Sequence, residues 1–386
     1  MEGDFIKINE WLTPLSWLYG LGVRFRNALF EMGILKSHAF SMPIISVGNI
    51  TVGGTGKTPH VEYLIRLLQD KARVAVLSRG YKRKTSGFLM ADATTTMHDI
   101  GDEPFQMKHK YPRVAVAVDR KRVHGIEQLT ELDPNLDVIV LDDAFQHRYV
   151  KPGINILLVD YHRLIIYDKL LPAGRLREPL SGKNRADIVI VTKCPKELKP
   201  MDFRVITKAM NLFPYQKLFF TTLNYEPPVP VFPDECSGLT TLNNMQVLLL
   251  TGIASPQQLE TDLSKMLKGS TFHNMSYPDH HNFKKKDIRN INDTFAALPQ
   301  PKCIITTEKD AARLAEAQDL SDEVRQNMYA LPIRVNFMQG QEELFNEDII
   351  GYIIKNSKNS ILLKNKKTQK SSHRQSSDKP AKIIFK

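Results

Sequence analysis

The chain has 386 residues, 42% of them hydrophobic and 25% charged, which is too long for one small core. This composition excludes a disordered or collagen-like protein, and three cysteines are too few for a disulfide-stabilised scaffold. The cysteines form no CxxC pair, which indicates a reducing, cytosolic compartment. We therefore expect an ordinary globular protein with two domains and additional segments.

The formal net charge of +11 is concentrated at the end of the chain. Residues 355–386 contain ten basic residues and one acidic residue, a net of +9. We predict that residues 351–386 form a basic, mobile tail, which suits anionic lipid headgroups as well as phosphodiesters, or serves solubility alone. Because the rest of the chain is nearly neutral, we expect no nucleic-acid partner, and no obligate protein partner is evident.

Residues 1–40 are predicted to form an amphipathic, membrane-associating segment. They contain both tryptophans, Trp11 and Trp17, among aliphatic and aromatic residues flanked by basic ones. This pattern is typical of a helix lying in a membrane interface, although a helical hairpin packed on the core would show it too. No stretch reaches the roughly 20 apolar residues of a membrane span, and no secretion signal is recognisable. We therefore expect a cytosolic chain.

From Met42 onward, short β-branched runs alternate with helical segments. Near-continuous apolar strands of this kind are typical of a parallel sheet covered by helices on both faces. We predict a doubly wound parallel sheet in an α/β domain spanning residues 41–220. The predicted strands are 43–47, 74–77, 114–118, 138–141, 154–159 and 188–191.

A proline-rich connection marks a change after about residue 215, with four prolines between Pro227 and Pro233. Beyond it, strands are predicted near 247–251, 271–273 and 303–307, with helices after Ser255 and at 284–297. We predict a second, smaller α/β domain over residues 221–350 that closes over the site of the first.

A glycine-rich loop lies between the first strand and the following helix, where residues 46–59 read SVGNITVGGTGKTP. Glycines allow successive backbone N–H groups to surround phosphate oxygens, while Lys57 reaches the β- and γ-phosphates and Thr58 ligates Mg²⁺. The loop departs from the strict pattern only at Thr51, where glycine is usual. We therefore predict a P-loop NTPase-like fold that binds ATP and Mg²⁺. The predicted nucleotide-binding residues are Thr51, Val52, Gly53, Gly54, Thr55, Gly56, Lys57 and Thr58.

Two adjacent acids, Asp142 and Asp143, follow the buried run at 138–141. Acids at the carboxyl end of a parallel strand point into the crevice where ligands bind, so they are candidates to hold Mg²⁺ directly or through water. A helix N-cap is the alternative role. The predicted metal ligands are Thr58, Asp142 and Asp143, and the sequence leaves open which aspartate contacts the ion directly.

Six further motifs occur in the order typical of one family: SRGY at 78–81, GDEP at 101–104, DDAFQH at 142–147, PAGRLREP at 172–179, DHHNF at 279–283 and TTEKD at 306–310. Over about residues 10–340 the chain closely resembles the tetraacyldisaccharide 4'-kinases, the lipid A 4'-kinases of Gram-negative bacteria. The resemblance implies transfer of the γ-phosphoryl group of ATP to the 4'-hydroxyl of an acylated glucosamine disaccharide 1-phosphate. It also implies peripheral attachment to the cytoplasmic face of the inner membrane.

The resemblance further implies roles for individual residues. Asp102 is the expected general base, coupled to His280 from the second domain, although Asp102 also suits a cap of the helix that follows it. Arg177 is expected to brace the γ-phosphate, with an ion pair to Glu178 as the alternative. The predicted catalytic residues are Asp102, His280, Lys57 and Arg177, and the predicted substrate-binding residues are Tyr81, Arg120, Gln146 and His147.

Two other functions fit parts of the sequence. The first is a P-loop kinase or ATPase that acts on a small soluble substrate, in which the N-terminal aromatic residues belong to the core. The second is a nucleotide-dependent switch whose basic tail binds RNA or lipid. The combination of Asp102, Asp142, Asp143, Arg177 and His280 argues against a switch, because a switch needs no hydroxyl-activating base.

Overall fold

The computed structural model describes residues 8–236, 239, 242–253, 257–267, 269–279 and 281–356. These residues form two sheets with helices packed on them. The strands of the larger sheet are β1 (Ile44–Gly48), β2 (Val74–Ser78), β3 (Leu89–Met90), β4 (Ala115–Val118), β5 (Val138–Asp142), β6 (Ile154–Asp160), β7 (Ile188–Thr192), β8 (Lys217–Tyr225) and β14 (Ile333–Phe337). Those of the smaller sheet are β9 (Val229–Pro230), β10 (Gln246–Thr251), β11 (Thr271–Ser276), β12 (Lys302–Thr307) and β13 (Met328–Leu331).

The helices cover these sheets and connect their parallel strands. They are α1 (Thr13–Glu31), α2 (Lys57–Leu68), α3 (Met97–Ile100), α4 (Asp102–Lys110), α5 (Arg122–Leu132), α6 (Pro200–Met210), α7 (Gln257–Met266), α8 (Lys285–Ala296), α9 (Glu308–Ala315), α10 (Asp322–Gln326) and α11 (Glu342–Asn356). In the part of the chain that the structure describes, no helix is both long enough and apolar enough to cross a bilayer.

The order of strands in the larger sheet is β14-β8-β7-β6-β1-β5-β2-β4-β3. The strands from β8 to β4 are parallel, whereas β3 and β14 pair antiparallel at the two edges. Every residue of β1, β2, β5 and β7 is buried, as the continuous apolar runs predict for a sheet covered on both faces. The predicted α/β fold class is confirmed.

The smaller sheet is inserted between β8 and β14. The chain leaves the larger sheet after Tyr225 and returns at Ile333, which pairs directly with Tyr225. In the smaller sheet the order is β11-β10-β12-β13-β9, and its core lies between α8, α9 and the central strands.

Residues 333–356 lie with the larger sheet, whereas the sequence assigned 333–350 to the smaller domain and 351–356 to the tail. The reason is the apolar face of α11, since Phe345, Ile349 and Ile353 are buried in the core of the larger sheet. The predicted tail from residue 357 to 386 lies outside the described residues.

The position of β1 determines where a ligand can bind. β1 lies between β6 and β5, and the chain runs from β1 to β2 on one side of it but from β6 to β7 on the other. Ligands of doubly wound sheets bind at such a point, in the crevice beyond the carboxyl ends of the strands. The glycine-rich loop leaves β1 at that crevice, and the Asp142–Asp143 pair leaves β5 beside it.

Candidate active site

The glycine-rich loop turns sharply into α2. Gly53 and Gly56 have φ values of +119° and +80°, which residues with a side chain adopt only with strain. α2 begins at Lys57, directly after Gly56. The first N–H groups of a helix lack partners within the helix, so they and the positive end of the helix dipole face an anion bound in the loop.

The first half of the loop is extended and pairs with residues 175–177. Thr51 forms an antiparallel bridge with Leu176, and the N–H of Arg177 donates to the carbonyl of Ile50 at 2.8 Å. This bridge explains why Thr51 is tolerated where the strict motif has glycine, because a β-branched residue suits extended backbone. It also fixes the backbone of Arg177 to the loop.

The second half of the loop is held from the side of β6 and β7. The Thr192 hydroxyl donates to the carbonyl of Thr55 at 3.0 Å, and Asn49 Nδ2 donates to Thr55 Oγ1 at 2.8 Å. The Lys193 ammonium donates to the carbonyl of Gly54 and forms an ion pair with Asp160 at 2.8 Å. These contacts fix the curvature of the loop.

Three charged side chains converge above the loop. Lys57 Nζ lies 3.6 Å from Asp143 Oδ1, and Arg177 Nη1 lies 3.6 Å from Asp143 Oδ2. The side chains of Lys57, Asp143 and Arg177 are 17%, 33% and 31% exposed, so all three are accessible from the crevice. The structure therefore brings together a P-loop lysine, an acid and a second cation, as phosphoryl-transfer sites require.

Asp142 is buried, and its side chain accepts a hydrogen bond from the Ser78 hydroxyl at 3.0 Å. Burial raises the pKa of Asp142 to about 6, and the charges of Asp143 and Glu103 act in the same direction. The charge of Lys57 and the bond from Ser78 oppose that rise. A buried carboxylate with this environment is stabilised by an added cation.

The donor set fits Mg²⁺. The Oδ1 atoms of Asp142 and Asp143 are buried and accept no hydrogen bond in the described part of the chain. No group of three or more His, Cys, Asp or Glu side chains that could hold a metal occurs there either. Mg²⁺ is commonly held by one or two carboxylates together with substrate phosphates and water, and Asp142, Asp143 and Thr58 stay the predicted ligands.

Asp102 is the first residue of α4, after Gly101, which has a φ of +91°. A Cβ at Gly101 would lie 2.7 Å from the carbonyl oxygen of Tyr81, so glycine lets the start of α4 pack against this loop. The Asp102 carboxylate is bound by Arg313 of α9. The charge of the next residue, Glu103, contributes to the raised pKa of Asp142.

The predicted substrate-binding residues differ in their surroundings. Gln146 Nε2 donates to the carbonyl of Asn49 and, at 3.1 Å, to Glu178 Oε1, so this side chain supports the loop. His147 is half-buried, and burial together with nearby arginines lowers its pKa to about 4. Tyr81 and Arg120 are exposed at the carboxyl edge of the sheet. Their role in substrate binding stays a prediction.

His280 lies outside the described residues, so its predicted pairing with Asp102 also stays a prediction. Its neighbour Asp279 accepts from Lys309 of α9 at 3.1 Å. Lys309 Nζ also lies 3.7 Å from Glu103, next to Asp102. His281 does not face this site, since its Nε2 lies 2.9 Å from Asp287 and its ring stacks on Tyr277.

With this geometry established, comparison with known proteins identifies the family. A family model described as tetraacyldisaccharide-1-P 4'-kinase matches residues 8–351. The chain belongs to this kinase family. It is 57% identical over 367 residues to a tetraacyldisaccharide 4'-kinase of Phocaeicola vulgatus, covering 93% of this chain and 99% of the relative. A tetraacyldisaccharide 4'-kinase of Bacteroides fragilis is 52% identical over 380 residues, 96% of this chain and all of the relative.

A solved structure supports the same assignment. LpxK from Aquifex aeolicus, in an "apo" form in complex with ATP, is 31% identical, with a TM-score of 0.69. The match covers 89% of this chain and 98% of that one. The family and fold predicted from the motifs are confirmed, and the chain is an ATP-dependent kinase with a P-loop NTPase-like fold.

Several residues at the site of this kinase were not predicted from the sequence. Ser78 lies in the SRGY motif, but nothing in that motif indicates its bond to Asp142. Lys193 directly follows β7. A lysine at the carboxyl end of a parallel strand could have been predicted to lie near the glycine-rich loop. Arg313 follows TTEKD by three residues, one turn along α9 from Asp310, but its contact with Asp102 spans 211 positions.

Proposed function

We propose that this kinase transfers the γ-phosphoryl group of ATP to the 4'-hydroxyl of tetraacyldisaccharide 1-phosphate, giving the bisphosphorylated lipid A precursor. The observation that carries the proposal is the convergence of Lys57, Asp143 and Arg177 over the loop. The names of the relatives indicate the acceptor. The SRGY motif after β2, the DDAFQH motif at the end of β5 and the loop at 172–179 lie at the same crevice. This arrangement supports one site that binds both substrates.

In the proposed mechanism, the loop N–H groups and Lys57 bind the phosphates, and Arg177 neutralises charge on the phosphoryl group that is transferred. Asp142, Asp143 and Thr58 would hold Mg²⁺, which would lower the charge repulsion between the triphosphate and the incoming hydroxyl oxygen. A sugar hydroxyl is a weak nucleophile, so Asp102 accepts its proton as the new O–P bond forms and the bond to the ADP leaving group breaks.

The lipid acceptor is supported by α1, which has two distinct faces. One face packs on the loop at 170–178: Ser16 Oγ donates to the carbonyl of Leu170 at 3.0 Å and accepts from the N–H of Ala173 at 2.9 Å. A Cβ at Gly20 would lie 2.7 Å from Leu170 Cδ1, so glycine permits this close approach. The helix is therefore fixed to the catalytic domain rather than detached from it.

The other face of α1 and the turn before it expose a row of large apolar side chains. Their exposed fractions reach 93% for Trp11 and 75% for Trp17. Apolar surface of this extent on one helix indicates an interaction site, and tryptophan is favoured at the headgroup level of a bilayer. The exposed residues are Trp11, Leu15, Trp17, Leu18, Leu21 and Phe25. We propose that this apolar face binds the cytoplasmic surface of the inner membrane.

Transfer of ³²P from γ-labelled ATP to tetraacyldisaccharide 1-phosphate in mixed micelles tests the reaction. Wild type and the control Asp70→Ala, a change at an exposed surface ion pair, are expected to label the lipid. Asp102→Ala is expected to label none while binding ATP as wild type does. Turnover by Asp102→Ala at the wild-type rate would contradict the role of Asp102 as the general base. A folded, ATP-binding wild type that labels no lipid would contradict tetraacyldisaccharide 1-phosphate as the acceptor.

A further inference from the structure

Arg313 of α9 reaches across from the smaller sheet to the catalytic edge of the larger one. Its Nη2 atom donates to Asp102 Oδ2. The side chain of Arg313 is only 3% exposed and that of Asp102 only 18%, so the pair is largely removed from water. A charge pair this well buried is strongly directional, because little solvent competes for either partner.

The guanidinium of Arg313 is itself held from behind. Its Nη1 atom donates to Asp310 Oδ1 at 3.1 Å, and Asp310 is fully buried. Asp310 Oδ2 accepts from the N–H of Gly252 at 2.8 Å and from the Thr307 hydroxyl at 2.7 Å. The chain of contacts therefore runs from the backbone at the end of β10, through Asp310 and Arg313, to Asp102.

The joining of α4 to α9 does not depend on this pair alone. At the opposite end of α4, Lys110 forms ion pairs with Glu308 of α9 at 2.5 Å and with Glu62 of α2 at 2.6 Å. The interface between the helices is thus already connected by Lys110. Arg313 is bound by Asp310 on one side and by Asp102, the proposed base, on the other. Such a contact restricts the orientation of the Asp102 carboxylate, in addition to joining the two helices.

We infer that Arg313 is a positioning residue for phosphoryl transfer, binding one oxygen of Asp102 and so fixing the plane of that carboxylate toward the acceptor hydroxyl. This inference rests on the proposed function, in which Asp102 accepts the hydroxyl proton. Arg313 keeps its own proton throughout, since a guanidinium is not deprotonated in proteins. Its contribution is therefore geometric and electrostatic, and misplacing a catalytic group by about 1 Å costs roughly 10²-fold in rate.

The test is Arg313→Met, compared with Arg325→Met, which removes another arginine–carboxylate pair of the smaller unit, with Glu235, away from the site. We expect kcat of Arg313→Met to fall roughly 10²-fold while KM for ATP stays within about twofold of wild type. Arg325→Met is expected to keep wild-type kcat. A structural role alone would lower apparent kcat only in proportion to the folded fraction, which thermal unfolding reports, so kcat is compared per folded molecule.

A wild-type or higher kcat in folded Arg313→Met would overturn the inference, and a higher value would mean that Arg313 restrains the base. If Arg313→Met does not fold, Asp310→Asn replaces it, because that change weakens the anchor of Arg313 without touching Asp102. A lower kcat at unchanged KM is again expected, and wild-type kcat would overturn the inference. If Asp102→Ala itself keeps full activity, the proposed role of Asp102 as the base is wrong, and the role of Arg313 is wrong with it. If only the Arg313 and Asp310 variants are unaffected, the proposed function stands and this inference alone is wrong.

Discussion

Lys57 and Asp143 face each other across the loop, with Nζ 3.6 Å from Oδ1. Asp143 has a φ of +47°, the left-handed region that asparagine and aspartate tolerate better than other residues with side chains. The backbone conformation turns this carboxylate back over the loop toward the lysine. Asp143 therefore contributes both a left-handed backbone conformation and a negative charge. Different substitutions at this position test the two contributions separately.

Asp143→Asn is expected to lower kcat by about 10²- to 10³-fold with little change in stability, since asparagine suits the backbone but lacks the charge. Asp143→Ala is expected to lose activity too, and in addition about 1 kcal/mol of stability from left-handed strain. The phosphotransfer assay across a Mg²⁺ titration and thermal unfolding measure the two effects. Full activity of Asp143→Asn at saturating Mg²⁺ would show that its charge is not needed.

Replacing Trp17 and Leu21 together with serine is expected to weaken binding to phosphatidylethanolamine–phosphatidylglycerol vesicles by tenfold or more. Each side chain is more than 60% exposed, and burying one in an apolar interface is worth about 1.5 kcal/mol or more. ATP affinity should not change. The control replaces Leu132 and Met201 with serine. These side chains are 60% and 64% exposed and lie outside α1. Equal sedimentation of both double variants would favour the soluble-substrate alternative.

Lys110→Met is expected to destabilise the fold by roughly 3 kcal/mol, because it removes the cation that Glu62 and Glu308 share and leaves only Arg66, 3.8 Å from Glu62, beside the pair. The Glu62 side chain is 2% exposed, so water cannot replace the lysine. Adding Glu308→Gln should recover part of the loss. Arg113→Met, which breaks an exposed pair with Asp70, is expected to cost less than about 1 kcal/mol. Urea unfolding compares them, and similar losses would contradict the argument.

Stability is expected to fall with acidity because of His60. Its ring is buried between the carbonyl of Gly56 and the hydroxyl of Thr221, and burial lowers its pKa from 6.5 to about 4. Below pH 6.5 the unfolded chain therefore binds a proton that the folded chain does not. Stability that is present above pH 6.5 is lost as pH falls toward 4, by about 1.4 kcal/mol between pH 7.5 and 5.5.

His60→Gln should remove that part of the pH dependence in unfolding experiments at pH 7.5 and 5.5. His147, whose pKa is also held at about 4, contributes in the same direction in both proteins, so the comparison isolates His60. An unchanged pH dependence in His60→Gln would mean that the buried ring does not take up its proton on unfolding.

The elements that sequence predicted well are those encoded locally. Continuous β-branched runs gave β1, β2 and β5–β7 to within one residue at each end, because burial on both faces leaves little freedom in composition. The glycine-rich loop could be predicted because glycine, lysine and threonine at this spacing are typical of a phosphate-binding loop. The same reasoning placed Asp142 at the end of β5.

The contacts that sequence could not predict join distant parts of the chain. The bond between Arg313 and Asp102 spans 211 positions, and that between Tyr19 and Arg177 spans 158. Nothing in a lone arginine or tyrosine indicates its partner. For α1, composition left two alternatives open, docking on the core or an exposed apolar face, and the structure shows both on opposite sides of one helix.

The Tyr19 hydroxyl donates to the carbonyl of Arg177 at 2.6 Å, so the helix with the apolar face contacts the residue proposed to neutralise charge on the phosphoryl group. If that face rests on the bilayer, the distance from the lipid surface to the reacting atoms is about the width of one helix, roughly 10 Å. A sugar hydroxyl in the headgroup layer then reaches the site while its acyl chains stay in the bilayer. Turnover should accordingly follow the mole fraction of acceptor in the surface rather than its bulk concentration, the behaviour of an interfacial enzyme.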